Sequence, residues 1–269
     1  MLKQPTVNDI YKYIDQIAPF ETAETWDNVG LLLGSAYSTV NKVLLALDIT
    51  EEVVAEAIEG DFNMVITHHP IIFIGLKSIT TDDRLGSMLS KLIQHKISVI
   101  AAHTNIDRSF EFGINRIIAN HFQLQMIEPL NAIHRFGLVG VLPEKIPFET
   151  FINQTKLIFN INTVKVANIE PNKVTKMIQT IALSSGASSD FIEDAIAAKA
   201  DVYITSDLKY HEAQTVLNTR LILVDVGHYE SEHIFLEPFK LMLDTFAKEQ
   251  SFQLIVQVAS TERPIFNYL

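Results

Sequence analysis

Apolar residues recur at helical spacing near the start of the chain. Ile10, Ile14 and Ile17 lie on one face of the segment TVNDIYKYIDQIA, and Thr6 stands where a helix N-cap is expected. The run WDNVGLLLG follows and ends in apolar residues. The pattern therefore predicts an amphipathic helix and then a short strand.

The next hundred residues alternate between apolar strands and amphipathic helices. The predicted strands are KVLLALD, NMVITHHP and ISVIAAH, and the predicted helices are TEEVVAEAIEG, DRLGSMLSKLIQHK and GINRIIANHF. Thr50 is the expected cap of the first of these helices, and Gly60 is its expected stop. Continuous apolar strands that alternate with helices predict a parallel sheet covered on both faces.

The pattern loosens around residues 121–150, where Pro129, Pro143 and Pro147 act as breaks. Alternation then resumes, with helices expected in FETFINQTKLIF, SSDFIEDAIAAKA, LKYHEAQTVLN and residues 230–249, and strands in TVKVANI, KMIQTIALSS, DVYIT, LILVDVGH and FQLIVQVA. The predicted fold class is α/β, with largely parallel sheets flanked by helices. We expect two domains, residues 1–130 with the motifs WDNVG, HHP and HTNID, and residues 131–269 with TSDLKYHE and GHYESE.

Polar residues follow four of the predicted strands, in the runs VITHH, IAAHTNID, VYITSD and VDVGH. In α/β sheets, ligands bind beyond the carboxyl ends of the strands. The agreement of four strand ends predicts that the functional site lies there.

Composition limits the chemistry of that site. The 269 residues contain no Cys, which excludes disulfides, thiolate metal sites and Cys nucleophiles. The net charge of −11 disfavours non-specific binding to nucleic acid or to a membrane surface. No apolar run is long enough to span a membrane, and the polar N-terminal segment does not have the pattern of a signal peptide. We therefore expect a cytoplasmic location and no membrane partner.

Without Cys, a metal site has to use His and carboxylate ligands. His68 and His69 are adjacent at the end of an apolar strand, just before Pro70. Neighbouring side chains of an extended chain point to opposite faces, so two adjacent ligands suit two metal ions better than one. The pair by itself is more typical of a polar strand end with surface histidines.

Two further segments pair a histidine with a carboxylate four residues later. These pairs are His103 with Asp107, and His228 with Glu232. On a helical turn this spacing places both side chains on one face, so each pair can reach a common point. An ion pair or a helix cap explains either segment alone. Three such segments at the ends of strands make a metal site as good an explanation as these alternatives.

Taken in order, the motifs WDNVG, ITHHP, AAHTNID, VYITSDLKYHE and VDVGHYESE resemble the Nif-three-like dinuclear-metal-centre family. Its members are often called GTP cyclohydrolase 1 type 2 homologues. The resemblance runs from about residue 5 to the C-terminus. It implies two α/β domains with a dinuclear metal site between them, assembled as a homohexamer. Carried over by position, the implied metal ligands are His68, His69, Asp107, His228 and Glu232.

The same resemblance places His103 and His211 beside these ligands, and we take both as candidate catalytic residues that transfer protons. The alternative is that each only orients a ligand by donating a ring N–H to a carboxylate. The resemblance implies two divalent metal ions per chain. Nitrogen and oxygen ligands without sulfur suit Zn, Mn, Fe, Co or Ni, and do not select one of them. The chain departs from the family at Ser206, where Gly is common, and at Ser184-Ser185-Gly186, which replaces a Gly-rich turn.

The expected function is metal-dependent hydrolysis of a nucleotide or another phosphate-bearing small molecule by metal-bound hydroxide. The family label implies ring-opening of GTP, and a phosphoesterase would use the same kind of centre. Two divalent ions bring a charge of about +4, and the carboxylates of Asp107 and Glu232 reduce the charge of the centre to about +2. An acidic protein needs such a local positive charge to hold a phosphate. The alternative from another class is a non-catalytic metal carrier or an interaction protein that forms a ring oligomer.

Overall fold

The computed structural model describes residues 3–169 and 176–267. It groups the chain into two compact units. Unit 1 comprises the chain up to Ile106 together with Phe235–Arg263, and unit 2 comprises Asp107–Ile234 together with the chain from Pro264. These units group residues by packing, whereas the expected domains 1–130 and 131–269 follow the order of the motifs. The two divisions are therefore different, and the expected domains stay a prediction.

The described residues form eleven strands and ten α-helices, with 3₁₀ turns at Phe20–Thr22 and Ser189–Phe191. The strands are β1 (Gly30–Leu33), β2 (Lys42–Ala46), β3 (Met64–Thr67), β4 (Ser98–Ala101), β5 (Gln125–Pro129), β6 (Leu138–Pro147), β7 (Lys165–Ala167), β8 (Met177–Leu183), β9 (Val202–Thr205), β10 (Ile222–Asp225) and β11 (Ile255–Val258). The helices are α1 (Val7–Ile17), α2 (Glu51–Glu59), α3 (Arg84–Gln94), α4 (Thr104–Arg108), α5 (Ile114–His121), α6 (Phe148–Phe159), α7 (Ile192–Ala197), α8 (Tyr210–Gln214), α9 (His228–His233) and α10 (Leu236–Glu249).

Unit 1 is built on a five-stranded sheet in the order β1-β4-β3-β2-β11. Only the edge strand β1 is antiparallel to its neighbour, and the other three pairs are parallel. Every residue of β3 and β4 is buried, as expected for parallel strands covered on both faces. Thr67 pairs with Ala101, so β3 and β4 end side by side. The residues that follow the two strands therefore lie together at the carboxyl end of the sheet.

Local signals set the first helices as expected. The Thr6 side chain accepts a hydrogen bond from the Asp9 backbone and caps α1, which buries Ile10 and Ile14. Thr50 caps α2 by accepting from the Val53 backbone, and the helix ends at Gly60. A hydroxyl at the N-cap satisfies a backbone N–H that has no partner within the helix, which is why these positions are predictable from sequence.

Unit 2 is built on a six-stranded sheet in the order β5-β6-β8-β9-β10-β7. The pairs β8–β9 and β9–β10 are parallel, and the other three are antiparallel. Strands β5 and β6 occupy the region where the prolines predicted only breaks. Pro143 lies where the register of β6 shifts against β8, between Val141 and Ile146, and such an irregularity tolerates a residue without an N–H. The α/β class with two sheets flanked by helices is confirmed.

The single helix expected over residues 230–249 is wrong. The chain forms α9 and then α10, with the change from unit 2 to unit 1 between Ile234 and Phe235. Pro238 falls in the first turn of α10, where its missing N–H removes no helical hydrogen bond. One continuous helix would place Pro238 in its interior, at a cost of about 3 kcal/mol or more.

Candidate metal centre

Three histidines of unit 1 converge at the carboxyl end of its sheet. His68 and His69 follow β3, and His103 follows β4, which ends beside it. One potential ligand atom from each of the three lies within 4.8 Å of the other two. The ring centroid of His68 is 5.0 Å from those of both His69 and His103, which are 5.4 Å apart. The adjacency of β3 and β4 therefore produces a cluster of imidazoles, which we call the histidine cluster.

Hydrogen bonds at Nδ1 orient the first two rings. His68 is buried, and its Nδ1 lies 3.0 Å from the carbonyl oxygen of Ala102, which can only accept. His69 Nδ1 lies 3.1 Å from Oδ1 of Asp48. A neutral imidazole that donates from Nδ1 carries its lone pair on Nε2, which is the form that binds a metal ion.

The third ring is held by a buried carboxylate. The side chain of Asp27 is fully buried, and its Oδ1 lies 3.0 Å from Nδ1 of His103. Its Oδ2 accepts from the backbone N–H of Thr104 at 3.1 Å and from the Thr104 hydroxyl at 2.5 Å. Burial by itself raises the pKa of Asp27, but the hydrogen bonds from His103 and Thr104 outweigh it and hold the pKa at about 2. Asp27 is therefore ionised at neutral pH and orients the His103 ring.

Sequence reasoning did not select two residues that support this cluster. Asp48 follows β2 and contacts His69, and its own backbone N–H donates to Oε1 of Glu262 at 2.8 Å. The same oxygen accepts from the backbone N–H of Leu47, also at 2.8 Å. Burial, together with the negative charge of Asp48, raises the pKa of Glu262 above its ordinary value. A carboxyl group after an apolar strand was a usable signal for Asp48, whereas Glu262 lies more than two hundred residues further along the chain.

Unit 2 contains a histidine–carboxylate pair at the end of β10. His228 begins α9, and its Nε2 lies 3.2 Å from Oε2 of Glu232, one turn later. His228 Nδ1 lies 2.8 Å from Oδ2 of Asp207. A ring that donates from Nδ1 to Asp207 turns a lone pair towards the Glu232 carboxylate. Two lone pairs at this distance repel each other, so the contact favours a shared proton, carried by either residue, or a metal ion.

The buried carboxylate of Asp225 joins the two loops that carry this pair. Its Oδ1 accepts from the backbone N–H of Gly227 at 3.1 Å, just before His228. Its Oδ2 accepts from the backbone N–H of Leu208 at 3.1 Å, just after Asp207, and pairs with Lys165 at 2.7 Å. Asp225 therefore holds the histidine and the carboxylate that orients it. It was not among the predicted site residues.

Gly186 allows the chain to approach the Glu232 carboxylate closely. Its φ of +65° lies in the left-handed region, and a Cβ at this position would overlap Oε1 of Glu232. The backbone N–H of Gly186 donates to the hydroxyl of Ser231 at 3.0 Å, next to Glu232. Gly186 is therefore the residue of the turn Ser184-Ser185-Gly186 that lies against Glu232.

The remaining predicted site residues are Asp107 and His211. Asp107 lies in α4, and its carbonyl accepts from the side chain of Asn115 at 3.3 Å. The Asn115 side-chain oxygen in turn accepts from the backbone N–H of Ser185 at 2.8 Å, which links Asp107 to the turn before Gly186. His211 is exposed on α8, with Nδ1 3.0 Å from the side-chain oxygen of Gln214. The structure thus joins Asp107 to the turn that faces Glu232 and leaves His211 on the surface.

The fold and these groups define an α/β protein with histidine and carboxylate side chains that could hold a metal ion. The chain belongs to the Duf34/NIF3 (NGG1p interacting factor 3) family, whose sequence profile matches residues 5–264. In the parts of the chain that the structure describes, no helix is long and apolar enough to cross a membrane.

Relatives and a solved structure agree with this family. A Clostridium perfringens protein named GTP cyclohydrolase 1 type 2 homolog is 34% identical over 231 residues, which cover 84% of this chain and 86% of that protein. A Streptococcus pneumoniae protein of the same name is 30% identical over 268 residues, which cover 97% of this chain and 99% of that one. The crystal structure of a Bacillus cereus protein related to NIF3 matches with a TM-score of 0.91 at 22% identity, covers 99% of this chain and 100% of that chain, and supports the fold alone.

Proposed function

We propose that this protein is a metal-dependent hydrolase with two divalent ions per chain. The proposed ligands are those implied by the resemblance, His68, His69, Asp107, His228 and Glu232. The observation that carries the proposal is the histidine cluster, in which three rings converge with their Nδ1 atoms already bonded. Nitrogen and oxygen donors of this kind fit Zn, Mn, Fe, Co or Ni.

Hydrogen bonds from the protein orient the donors. Ala102, Asp48 and Asp27 each accept from one ring of the histidine cluster, and such contacts fix the ring and raise the basicity of Nε2. In unit 2, Asp207 does the same for His228. The two oxygens of Glu232 face different neighbours, since Oε2 lies against His228 and Oε1 lies against Gly186. Glu232 would hold a divalent ion as one of the proposed ligands, and its packing against Gly186 keeps the carboxylate in place.

When bound, divalent ions lower the pKa of a coordinated water and so supply a nucleophile at neutral pH. We assign His103 to proton transfer at Nε2, because Asp27 holds its ring through Nδ1 and leaves Nε2 as the ring's other proton-carrying atom. His211 is the second candidate for this role, since its exposed ring can pass protons to bulk water. Both assignments rest on the resemblance together with these contacts.

The names of the relatives support ring-opening of GTP as the first reaction to test, and phosphoester hydrolysis is the alternative at the same centre. The substrate would then be a nucleotide or another phosphate-bearing small molecule. A homohexamer is proposed on the family resemblance, and a monomer mass by light scattering would contradict it. The cytoplasmic location stays a prediction.

A substrate screen on metal-loaded protein tests the proposed activity. GTP and a panel of phosphoesters are incubated with protein loaded with Zn or Mn, and product formation is followed by chromatography. Turnover should be abolished by chelator, restored by added metal and absent from His68→Ala. The matched control His95→Ala removes an exposed histidine outside the cluster and should retain activity. Bound metal that exchanges rapidly without any turnover would contradict the hydrolase and favour the metal carrier.

A further inference from the structure

We propose that Trp26 and Phe73 form a stacking surface for a planar heteroaromatic ring of the substrate. We call these two side chains the aromatic platform. The inference rests on the proposed function, because it names the substrate class that the proposed metal centre would act on.

The aromatic platform exposes an unusual amount of ring surface. Trp26 is 57% exposed and Phe73 is 49% exposed. Their ring centroids are 5.8 Å apart, and the ring planes differ by 24°, so the two rings stack on each other. Two large aromatic rings stacked together and half exposed are costly in water, and such a patch indicates a binding surface.

This surface adjoins the histidine cluster. The centroid of the His103 ring lies 6.0 Å from those of both Trp26 and Phe73. The plane of His103 is inclined by 72° to Trp26 and by 65° to Phe73. A flat ligand that stacks on the platform would therefore lie nearly perpendicular to the His103 ring. The ring heteroatoms of such a ligand carry lone pairs in the ring plane. These lone pairs would therefore point outwards from the edge of the ligand and not from its stacked face.

The positions of both rings are set by hydrogen bonds next to them in the chain. Trp26 precedes Asp27, whose carboxylate contacts His103 and Thr104. The side chain of Asn28 donates to the carbonyl of Ile72 at 2.6 Å, immediately before Phe73. The segment WDNVG thus fixes the platform relative to the histidine cluster through hydrogen bonds within the protein. Such preorganisation lowers the entropic cost of binding.

A planar heteroaromatic ring fits these observations better than an aliphatic ligand. Flat aromatic faces match flat aromatic faces, and stacking on protein aromatics accepts any nucleobase. The chain also carries a net charge of −11, so an anionic ligand gains little from the protein surface as a whole. Stacking supplies binding energy that does not depend on that charge.

Trp26 is the only tryptophan in the chain, so its fluorescence reports on the platform alone. We suggest titrating Zn-loaded protein with GMP and, separately, with ribose 5-phosphate, which carries the phosphate without the base. Fluorescence and calorimetry are recorded in parallel. GMP should quench Trp26 and bind about tenfold more tightly than ribose 5-phosphate, which should not quench.

Three variants separate stacking from general apolar contact. Phe73→Leu and Trp26→Leu keep apolar volume but remove an aromatic ring, and each should weaken GMP binding about tenfold by calorimetry. Binding of ribose 5-phosphate and the metal content should not change. The control Tyr37→Leu removes an aromatic side chain that is 89% exposed elsewhere in unit 1 and should leave GMP binding unchanged.

Equal affinities for GMP and ribose 5-phosphate, or unchanged GMP binding in Phe73→Leu, would overturn the platform while leaving the metal centre intact. Fluorescence that changes with protein concentration and is insensitive to GMP would assign the two rings to a protein interface, which also overturns the inference. If the wild-type protein proves unable to bind metal, that result would contradict the proposed hydrolase. Quenching of Trp26 by GMP in the same protein would still support the platform.

Discussion

Oδ1 of Asp27 lies 3.0 Å from Nδ1 of His103, although 76 residues separate them in the chain. The other oxygen of the same carboxylate accepts twice from Thr104. The WDNVG segment and the HTNID segment are therefore joined by one buried charged group. Because every contact of this carboxylate is with a donor, its ionised form is the one that the fold stabilises.

We expect Asp27→Asn to destabilise the metal-free protein by about 2 kcal/mol at neutral pH. The amide NH₂ of Asn cannot accept from Thr104, so at least one buried donor loses its partner. The pKa of Asp27 in the folded protein, about 2, lies below its ordinary value of 3.8. Its contribution to stability is therefore present above about pH 4 and is lost as the pH falls towards 2. Urea unfolding of both proteins from pH 2 to pH 7 measures this.

The control for Asp27→Asn is Asp61→Asn, which alters an exposed carboxylate of unit 1 and should leave the unfolding free energy unchanged. A difference between wild type and Asp27→Asn that does not shrink below pH 4 would contradict the role of the charge. Because Asp27 orients His103, which is proposed for proton transfer and not as a ligand, the bound-metal content of Asp27→Asn should equal that of wild type.

Gly186→Ala should disrupt the Glu232 environment. The new Cβ would overlap Oε1 of Glu232, and the φ of +65° is unfavourable for Ala by about 1–2 kcal/mol. We expect a loss of stability larger than this strain alone, because the carboxylate has to move, together with weaker binding of zinc. The matched control is Gly75→Ala, where a Cβ meets nothing within 4 Å. Equal zinc affinity in the two variants would rule out close packing of Gly186 against Glu232.

Glu262→Gln should make stability less dependent on pH above the ordinary pKa of this group, about 4.5. The Gln oxygen can still accept from the backbone N–H groups of Leu47 and Asp48, while the buried charge is removed. Since the pKa of Glu262 is raised in the folded state, its favourable contribution is full below its ordinary pKa of about 4.5 and is lost as the pH rises through the folded value. The variant should therefore match wild type at pH 4 and equal or exceed its stability at pH 7. Glu262→Ala, which removes the acceptor, should be less stable than wild type at both pH values.

Glu232→Gln tests the proposed pair of ions. Elemental analysis of protein supplied with Zn or Mn and then freed of excess metal should find two ions per chain in wild type and fewer in the variant. The reason is that a neutral amide replaces a buried carboxylate that faces both His228 and Gly186. Glu237→Gln, an exposed position at the start of α10, is the control. One ion or none in wild type would refute the dinuclear assignment.

The elements that sequence predicted well are those set by neighbours in the chain. Thr6 and Thr50 cap helices through contacts with residues three positions away, and those contacts need no partner from elsewhere. Strands β5 and β6 were missed because their pairing depends on distant residues. Pro143 predicts a break when only the sequence is considered. In the structure, the irregular pairing of β6 with β8 accommodates it within the strand. Local hydrogen bonding is encoded locally, whereas sheet pairing is decided by the whole unit.

The same distinction applies to the candidate metal centre. The sequence by itself determined the types of donor, the absence of thiolates, the position of His68 and His69 after a buried strand, and the four-residue spacing of His228 and Glu232. These follow from composition and from the periods of strand and helix. Only the tertiary structure decided that β3 and β4 end side by side, which brings His103 to His68. It likewise brought Asp27, Asp48, Asp225 and Glu262 to the groups that they support, because each reaches its partners through folding of the chain. The position of Asp48 after an apolar strand marks the residue but not its contact with His69.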